Sequence, residues 1–397
     1  MKNKKVLILV QNLSVPFDRR VWNEAISLKS SNYSVFVVCP KTTMDSKSSE
    51  TIDGIKIRRY SPIIEGNSII GYMLEYLVSL WKITFWSVWI ALKYRIQVIH
   101  ICNPPDLLFI PAQLIKFITN SMIVYDQHDL NPEVILSKGY EKDSIFYKLF
   151  LMFEKITYHC ADAVIATNES YKSIAMTRGN KEFSDVFIVR SGPKKNFGTN
   201  QDKFIRDSTS SRNLLFLGTM GPQEGVDILI RMIAELRSWH LMSNIILNLV
   251  GSGPEYPRIK QLISELKLEN NVIMHGRVSD DDLKELFSKA DIALNSDRPC
   301  ILNDLSTMNK VIEYMAFGLP IIQFDFKEAR FTAGDASIYI AEYTASAFAT
   351  EVYKLIHNKD KRIEMSRFGL KRFHQCLTWE SQEIILLTLY EKILGGY

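Results

Sequence analysis

The sequence predicts an α/β chain built from two doubly wound domains, and three observations carry that prediction. Its 397 residues are too many for one ordinary α/β domain and suit two. Short apolar runs alternate with longer helical patterns, and the alternation runs in two rounds. Between the rounds, residues 191–212 are polar, contain Gly and Pro, and lack apolar periodicity.

KVLILV, SVFVVCP, VIHIC, MIVYD and AVIAT read as buried strands of the first domain. NLLFLG, IILNLVG, NVIMHG, IALN and LPIIQFD repeat the signal in the second. Runs this apolar suit parallel strands covered by helices on both faces. Helical patterns fall between them, as at 20–30, 226–237 and 257–266. The domains are expected at 1–195 and 196–375, followed by a C-terminal segment, 376–397, with an amphipathic helix from Trp379. Ligands of such domains bind at the carboxyl ends of the strands, and an interdomain cleft is the expected location.

Hydrophobic residues are 47% and charged residues 23%, the balance of a globular protein with substantial cores. Cys39, Cys102, Cys160, Cys300 and Cys376 are scattered and form no CxxC pair. Neither a disulfide framework nor a zinc site is expected, and a reducing cytoplasm is the natural setting. The apolar run after the basic N-terminus is short and lacks a small-residue cleavage site, so it reads as a first strand rather than a signal peptide. The net charge of +4 divides into +7 for residues 1–195 and −3 for the remainder. The basic half either faces an anionic membrane or a phosphate-bearing acceptor, or is an ordinary solvated surface.

Residues 72–94, YMLEYLVSLWKITFWSVWIALKY, hold three tryptophans on a helical pattern, interrupted by Glu75 and Lys82. The internal charges disfavour a transmembrane span. Two readings stay open: a core helix with one exposed aromatic stripe, or a helix lying in a membrane interface.

Residues 306–320, STMNKVIEYMAFGLP, form the strongest constellation. Ser306 and Thr307 are suitable N-caps, and Gly318 to Pro320 ends the helix before a strand. A helix N-terminus offers free amides and positive dipole to a phosphate. Lys310 and Glu313 share one face, about 5 Å apart along it. A nucleoside diphosphate needs a cation near its phosphates and a carboxylate for the ribose diol. The alternative is an ordinary surface ion pair.

VIEYMAFGLPII, with LGTMGPQEGVDILI, LVGSGPEYPRIKQLI, VIMHGRVSDDDLKELFSKADIALN and NDLSTMNKVIEYMA, resembles in order and spacing the retaining GT-B glycosyltransferases of family 4. The opening, QNLSVPFDRRVWNEAISLKSSNYSVFVVCP, is similar to a subgroup of bacterial surface-polysaccharide assembly. The resemblance covers nearly the whole chain. It implies a C-terminal helix that crosses back to the first domain. It also implies Glu313 on the ribose, and Lys310 with the amides of Ser306, Thr307, Met308 and Asn309 toward the diphosphate. Gly218, Thr219 and Gly251 would line the same donor site.

Two departures stand out. Relatives carry an acid eight positions before the ribose glutamate; here that position is Leu305, and Asp304 either serves after a local shift or the role is lost. Relatives also carry Arg and Lys in the first loop of the second domain, where this chain has Thr219 and Glu224. Arg277, Arg298 or Lys310, with Lys310 foremost, must then neutralise the phosphates.

In the first domain, His128 resembles the family's histidine near the reacting sugar carbon, with a positioning or stabilising task; a lone His is otherwise often structural. Asp129 and Glu133 are expected to orient it or touch the acceptor. In the loop after the first strand, Asp18, Arg19 and Arg20 either bind an acceptor or donor phosphate, or Asp18 simply caps the helix.

No P-loop, HExxH or GxSxG motif occurs. The resemblance implies transfer without a metal or cofactor. The expected activity moves a hexosyl or N-acetylhexosaminyl group from a uridine-linked nucleotide sugar to a saccharide acceptor, lipid-linked at the inner membrane surface. Nucleic acid is not an expected partner. The alternatives are a nucleotide-sugar 2-epimerase and a non-catalytic nucleotide-sugar binder.

Overall fold

The computed structural model describes residues 4–42, 47–62, 69–198, 212–239 and 245–395. The chain divides into two compact units. One comprises Met1–Ser191 with Gln382–Tyr397, the other Gly192–Ser381. Most of the polar stretch expected between the domains, residues 199–211, lies outside the described residues, as does the Glu75 side chain.

The first unit is built on β1 (Lys5–Val10), β2 (Ser34–Pro40), β3 (Ser49–Ile52), β4 (Ile55–Tyr60), β5 (Val98–Cys102), β6 (Met122–Gln127), β7 (Ala163–Ala166) and β8 (Val186–Ile188). Their order is β3-β4-β2-β1-β5-β6-β7-β8, parallel except for β3 against β4. Val6 to Val10 are wholly buried, as a central strand covered on both faces requires. Its helices are α1 (Arg19–Ser30), α2 (Ile69–Tyr94), α3 (Phe109–Thr119), α4 (Asn131–Ser137), α5 (Ile145–Cys160) and α6 (Glu169–Thr177). Chain direction across the sheet reverses between β1 and β5, so the loops after these strands diverge there. The β3–β4 hairpin was not among the expected strands. Its signal is Asp53-Gly54, both at positive φ, flanked by alternating apolar residues.

The second unit has β9 (Arg212–Leu217), β10 (Ile245–Val250), β11 (Val272–Gly276), β12 (Ile292–Asn295), β13 (Ile321–Phe324) and β14 (Ser337–Ile340). They are all parallel, in the order β11-β10-β9-β12-β13-β14. The connecting helices are α7 (Val226–Ser238), α8 (Tyr256–Glu265), α9 (Asp280–Lys289), α10 (Ile301–Leu305), α11 (Asn309–Ala316), α12 (Lys327–Ala333), α13 (Ala345–His357) and α14 (Lys359–Arg372). The reversal here lies between β9 and β12, whose following loops carry Glu224 and Asp297. The last helix, α15 (Trp379–Gly395), begins where the sequence places it, and its Tyr390 packs in the first unit against Tyr33 and His100. Both units are the doubly wound α/β structures that the alternation predicts. Among the described residues, no helix is long and apolar enough to cross a membrane.

Candidate functional site

In the second unit the loops after three adjacent strands are joined by their backbones. Gly218 N–H donates to Val250 O at 3.1 Å, and Gly251 N–H to Gly276 O at 2.7 Å. Gly251 has φ +124°, and a Cβ there would stand 1.9 Å from Gly218 O. Only glycine permits both the conformation and the approach. Thr219 beside this contact is exposed, as is Arg277, which has no partner among the described residues.

α11 starts later than expected. Its N-cap is Met308, with no side-chain cap, so Ser306 and Thr307 belong to the turn between α10 and α11. Tyr314 anchors the helix: its hydroxyl accepts from Leu217 N–H at 2.8 Å and donates to Leu294 O at 3.2 Å, at the ends of β9 and β12. Gly318, at φ +61°, ends it in the left-handed conformation that the sequence implies.

Lys310 departs most from expectation. It is buried, with its ammonium between Glu224 and Asp297 and 4.9 Å from the Phe216 ring centre. Nζ donates to Asp297 Oδ1 at 2.9 Å, and to Glu224 Oε2. The expectation of a cation open to phosphate is corrected: two carboxylates hold it. Burial raises the Glu224 carboxyl to about 7, against the pull of Lys310 and with the push of Asp297. Sharing one ammonium between two carboxylates leaves Glu224 undercompensated. Asp297 Oδ2 is buried and accepts no hydrogen bond among the described residues. Its neighbour Ser296 ties the loop down by donating to Glu224 O at 2.8 Å.

The other expected donor residues are dispersed. Arg298 donates to Asp227 Oδ1 at 2.6 Å and to Pro222 O at 2.8 Å, holding the same loop. Asp304, on α10 beside Leu305, accepts from Lys327 N–H at 2.8 Å, at the first turn of α12. Glu313 is half-buried on α11, one turn beyond Asn309.

In the first unit, His128 follows β6 with its side chain mostly covered. Its Nε2 bonds Asp126 Oδ2, and its N–H donates to Asn103 Oδ1 at 2.6 Å. The expected partners Asp129 and Glu133 are therefore replaced by Asp126. The two are only two residues apart, a spacing short enough for a side chain just past a strand end to fold back on the strand's last residues. Asn103 couples the loops after β5 and β6, accepting also from Asp129 N–H and donating to Asp129 O at 2.7 Å.

Arg20 is not a loop cation. It is buried and grips Asp126 with two nitrogens, at 2.6 and 3.1 Å, and donates to Val189 O at 2.8 Å. Burial pushes the Asp126 carboxyl up, but Arg20 and then His128 outweigh it and hold it well below the usual range. Behind it, His100 Nε2 lies 3.5 Å from Glu24 and 3.6 Å from Asp126, while Nδ1 bonds the Tyr390 hydroxyl at 2.8 Å. Burial lowers the His100 pKa. Glu24, His100, Cys102 and Asp126 could offer four ligand atoms to an ion. The Arg20 guanidinium already supplies positive charge at two of these groups. Asp18 takes the capping alternative, accepting from Val21 N–H at 3.2 Å. Arg19 opens α1 beside it. Glu133 is buried against Arg178, which Glu154 shares.

Residues 211–358 match the family described as Glycosyl transferases group 1. The chain is 22% identical over 245 residues to the chitobiosyldiphosphodolichol beta-mannosyltransferase of Candida albicans, covering 57% of this chain and 53% of that one. It thus spans about half the length of that curated relative. Among solved structures it resembles the sucrose-phosphate synthase of Thermosynechococcus elongatus, with TM-score 0.81 at 16% identity over 99% of this chain and 100% of that one. It also resembles Anabaena HepE in complex with UDP-glucose, with TM-score 0.69 at 15% identity over 98% and 99% of the two chains. The chain therefore has the GT-B fold, and its residues 211–358 match the family described as Glycosyl transferases group 1.

Proposed function

We propose that this chain transfers a hexosyl or N-acetylhexosaminyl group, with retention, from a uridine-linked nucleotide sugar. The acceptor is a saccharide carried on a lipid at the inner membrane face, in the assembly of a bacterial surface polysaccharide. The observation that carries this reading is the carboxyl edge of the second sheet. There glycine lets the backbones of Gly218 and Gly251 meet, and Tyr314 ties α11, which carries Glu313, to the end of β9. A diphosphate can approach such a backbone closely, and Glu313 supplies the carboxylate for a ribose. UDP-glucose in HepE and the diphosphodolichol-linked saccharide in the name of the Candida relative support the donor and acceptor classes. His128, held by Asp126, serves to position or stabilise rather than to remove a proton. The resemblance to family 4 makes the transfer metal-independent, so EDTA leaves activity intact; strong inhibition by EDTA would contradict this.

A thermal-shift panel of uridine, guanosine and adenosine diphosphate sugars tests the donor reading. A ligand at about 100 times its Kd adds about 2.7 kcal/mol to stability. A UDP-sugar raises Tm; a panel in which none does would overturn the reading. One observation favours a second reading, a nucleotide-sugar binder without turnover: Lys310 is already held by two carboxylates. Donor binding without product across a broad acceptor panel would support it. The isomerase alternative is separated by incubating donor alone and searching for an epimer.

A further inference from the structure

Helices α2, α3 and α5 follow successive crossovers and pack side by side, α2 on α3 and α3 on α5. Each turns an apolar ridge outward. On α2 the ridge is Leu77, Trp81, Phe85, Trp89 and Leu92, while Ile83, Ser87 and Ala91 face in. On α3 it is Ile110, Leu114, Phe117 and Ile118. On α5 it is Ile145, Leu149 and Met152. These spacings of three and four put each set on one helix face. The exposure is large: Trp81 67%, Ile145 77%, Phe117 91%. Scattered exposed apolar residues need no explanation, but a continuous field across three helices marks an interaction surface.

Charge selects the occupant. Among the described side chains of these helices the cations are Lys82, Lys93, Lys116, Lys148 and Lys155. The one acid is Glu154, which is buried. Lys116 is paired with Asp162, and Lys148 lies 3.8 Å from Asp143; Lys93 lies over the Trp89 ring at 4.4 Å. A second copy of the chain would oppose lysines to lysines across an isologous contact. An anionic bilayer accepts the lysines in its headgroups and the tryptophan and phenylalanine rings just beneath. We propose that the α2–α3–α5 face is a docking surface for an anionic lipid bilayer. It deepens the reading of a lipid-carried acceptor, and rests on that reading for its purpose but not for its test.

The test uses the full chain without nucleotide or acceptor, so a failed donor panel and a failed docking surface are separate results. Wild-type protein is floated with phosphatidylcholine vesicles and with vesicles that also contain phosphatidylglycerol. It should bind the anionic vesicles at least tenfold better, and W81S/F117S/I145S should lose at least tenfold of that partitioning. Brominated acyl chains should quench wild-type tryptophan fluorescence, a readout independent of whether the triple variant folds. Absence of anionic-vesicle binding, absence of quenching, or a folded variant that partitions like wild type would overturn the proposal. So would a wild-type dimer that the same substitutions dissolve.

Discussion

Lys310 Nζ stands 2.9 Å from Asp297 Oδ1, a buried contact between α11 and the loop after β12. Glu224, from the loop after β9, completes the arrangement. The three residues therefore fasten α11 to the two loops that diverge at the sheet's reversal point. Replacing Lys310 with Met leaves two carboxylates buried without their cation. Loss of one partner from a buried ion pair costs about 3–5 kcal/mol. Denaturant unfolding of Lys310→Met should show a loss of that order; a change below about 0.5 kcal/mol would mean the pair carries no structural weight.

Glu224 gives the second unit a pH signature. Its folded carboxyl is raised by burial to about 7 from an ordinary 4.5. Between these values the folded protein holds a proton that the unfolded chain has released. The stability from this group is full below 4.5 and is lost as pH rises through about 7. Wild type should therefore lose stability relative to Glu224→Gln across that window, by at most about 1.4 kcal/mol per pH unit. Glu154, raised by burial to about 7 in the first unit, is present in both proteins and cancels in the comparison. Parallel wild-type and variant curves would contradict the assignment.

His128 and Asp126 separate function from structure. His128→Ala leaves Asp126 gripped by Arg20, so the melting temperature should change little. Turnover should fall about 10²-fold or more, the effect of removing one stabilising donor. Asp126→Asn instead weakens the partner of a buried guanidinium and should destabilise by about 3–5 kcal/mol. Steady-state assays beside thermal melts read both. Full activity in a folded His128→Ala protein would reduce the histidine to a structural role.

Local signals carried the fold. SVFVVCP, VIHIC and IALN became β2, β5 and β12 over those same residues, because a buried parallel strand advertises itself as an unbroken apolar run. The start of α11 was misplaced because Ser306 and Thr307 are good caps by type, yet the turn after α10 uses Met308 at that position. Partners distant in sequence were not legible. Glu224 lies 86 residues from Lys310, and Asp126 lies 106 from Arg20. Nothing local ties a glutamate in a glycine-containing loop to a lysine on a later helix. The outward ridges of α3 and α5 were also missed, since periodicity shows that a helix has an apolar face but not that the face stays uncovered. In α2 the tryptophans gave that hint.

In the proposed function, the carboxyl edge of the second sheet binds a nucleotide sugar through α11. Isothermal calorimetry of the UDP-sugar selected by the thermal-shift panel, with wild type and Glu313→Ala, tests this binding most directly. Thermal melts of both proteins, run beside the calorimetry, separate a lost donor contact from a lost fold. Glu313→Ala should abolish measurable donor binding while melting like wild type. Unchanged donor affinity in that variant would contradict this.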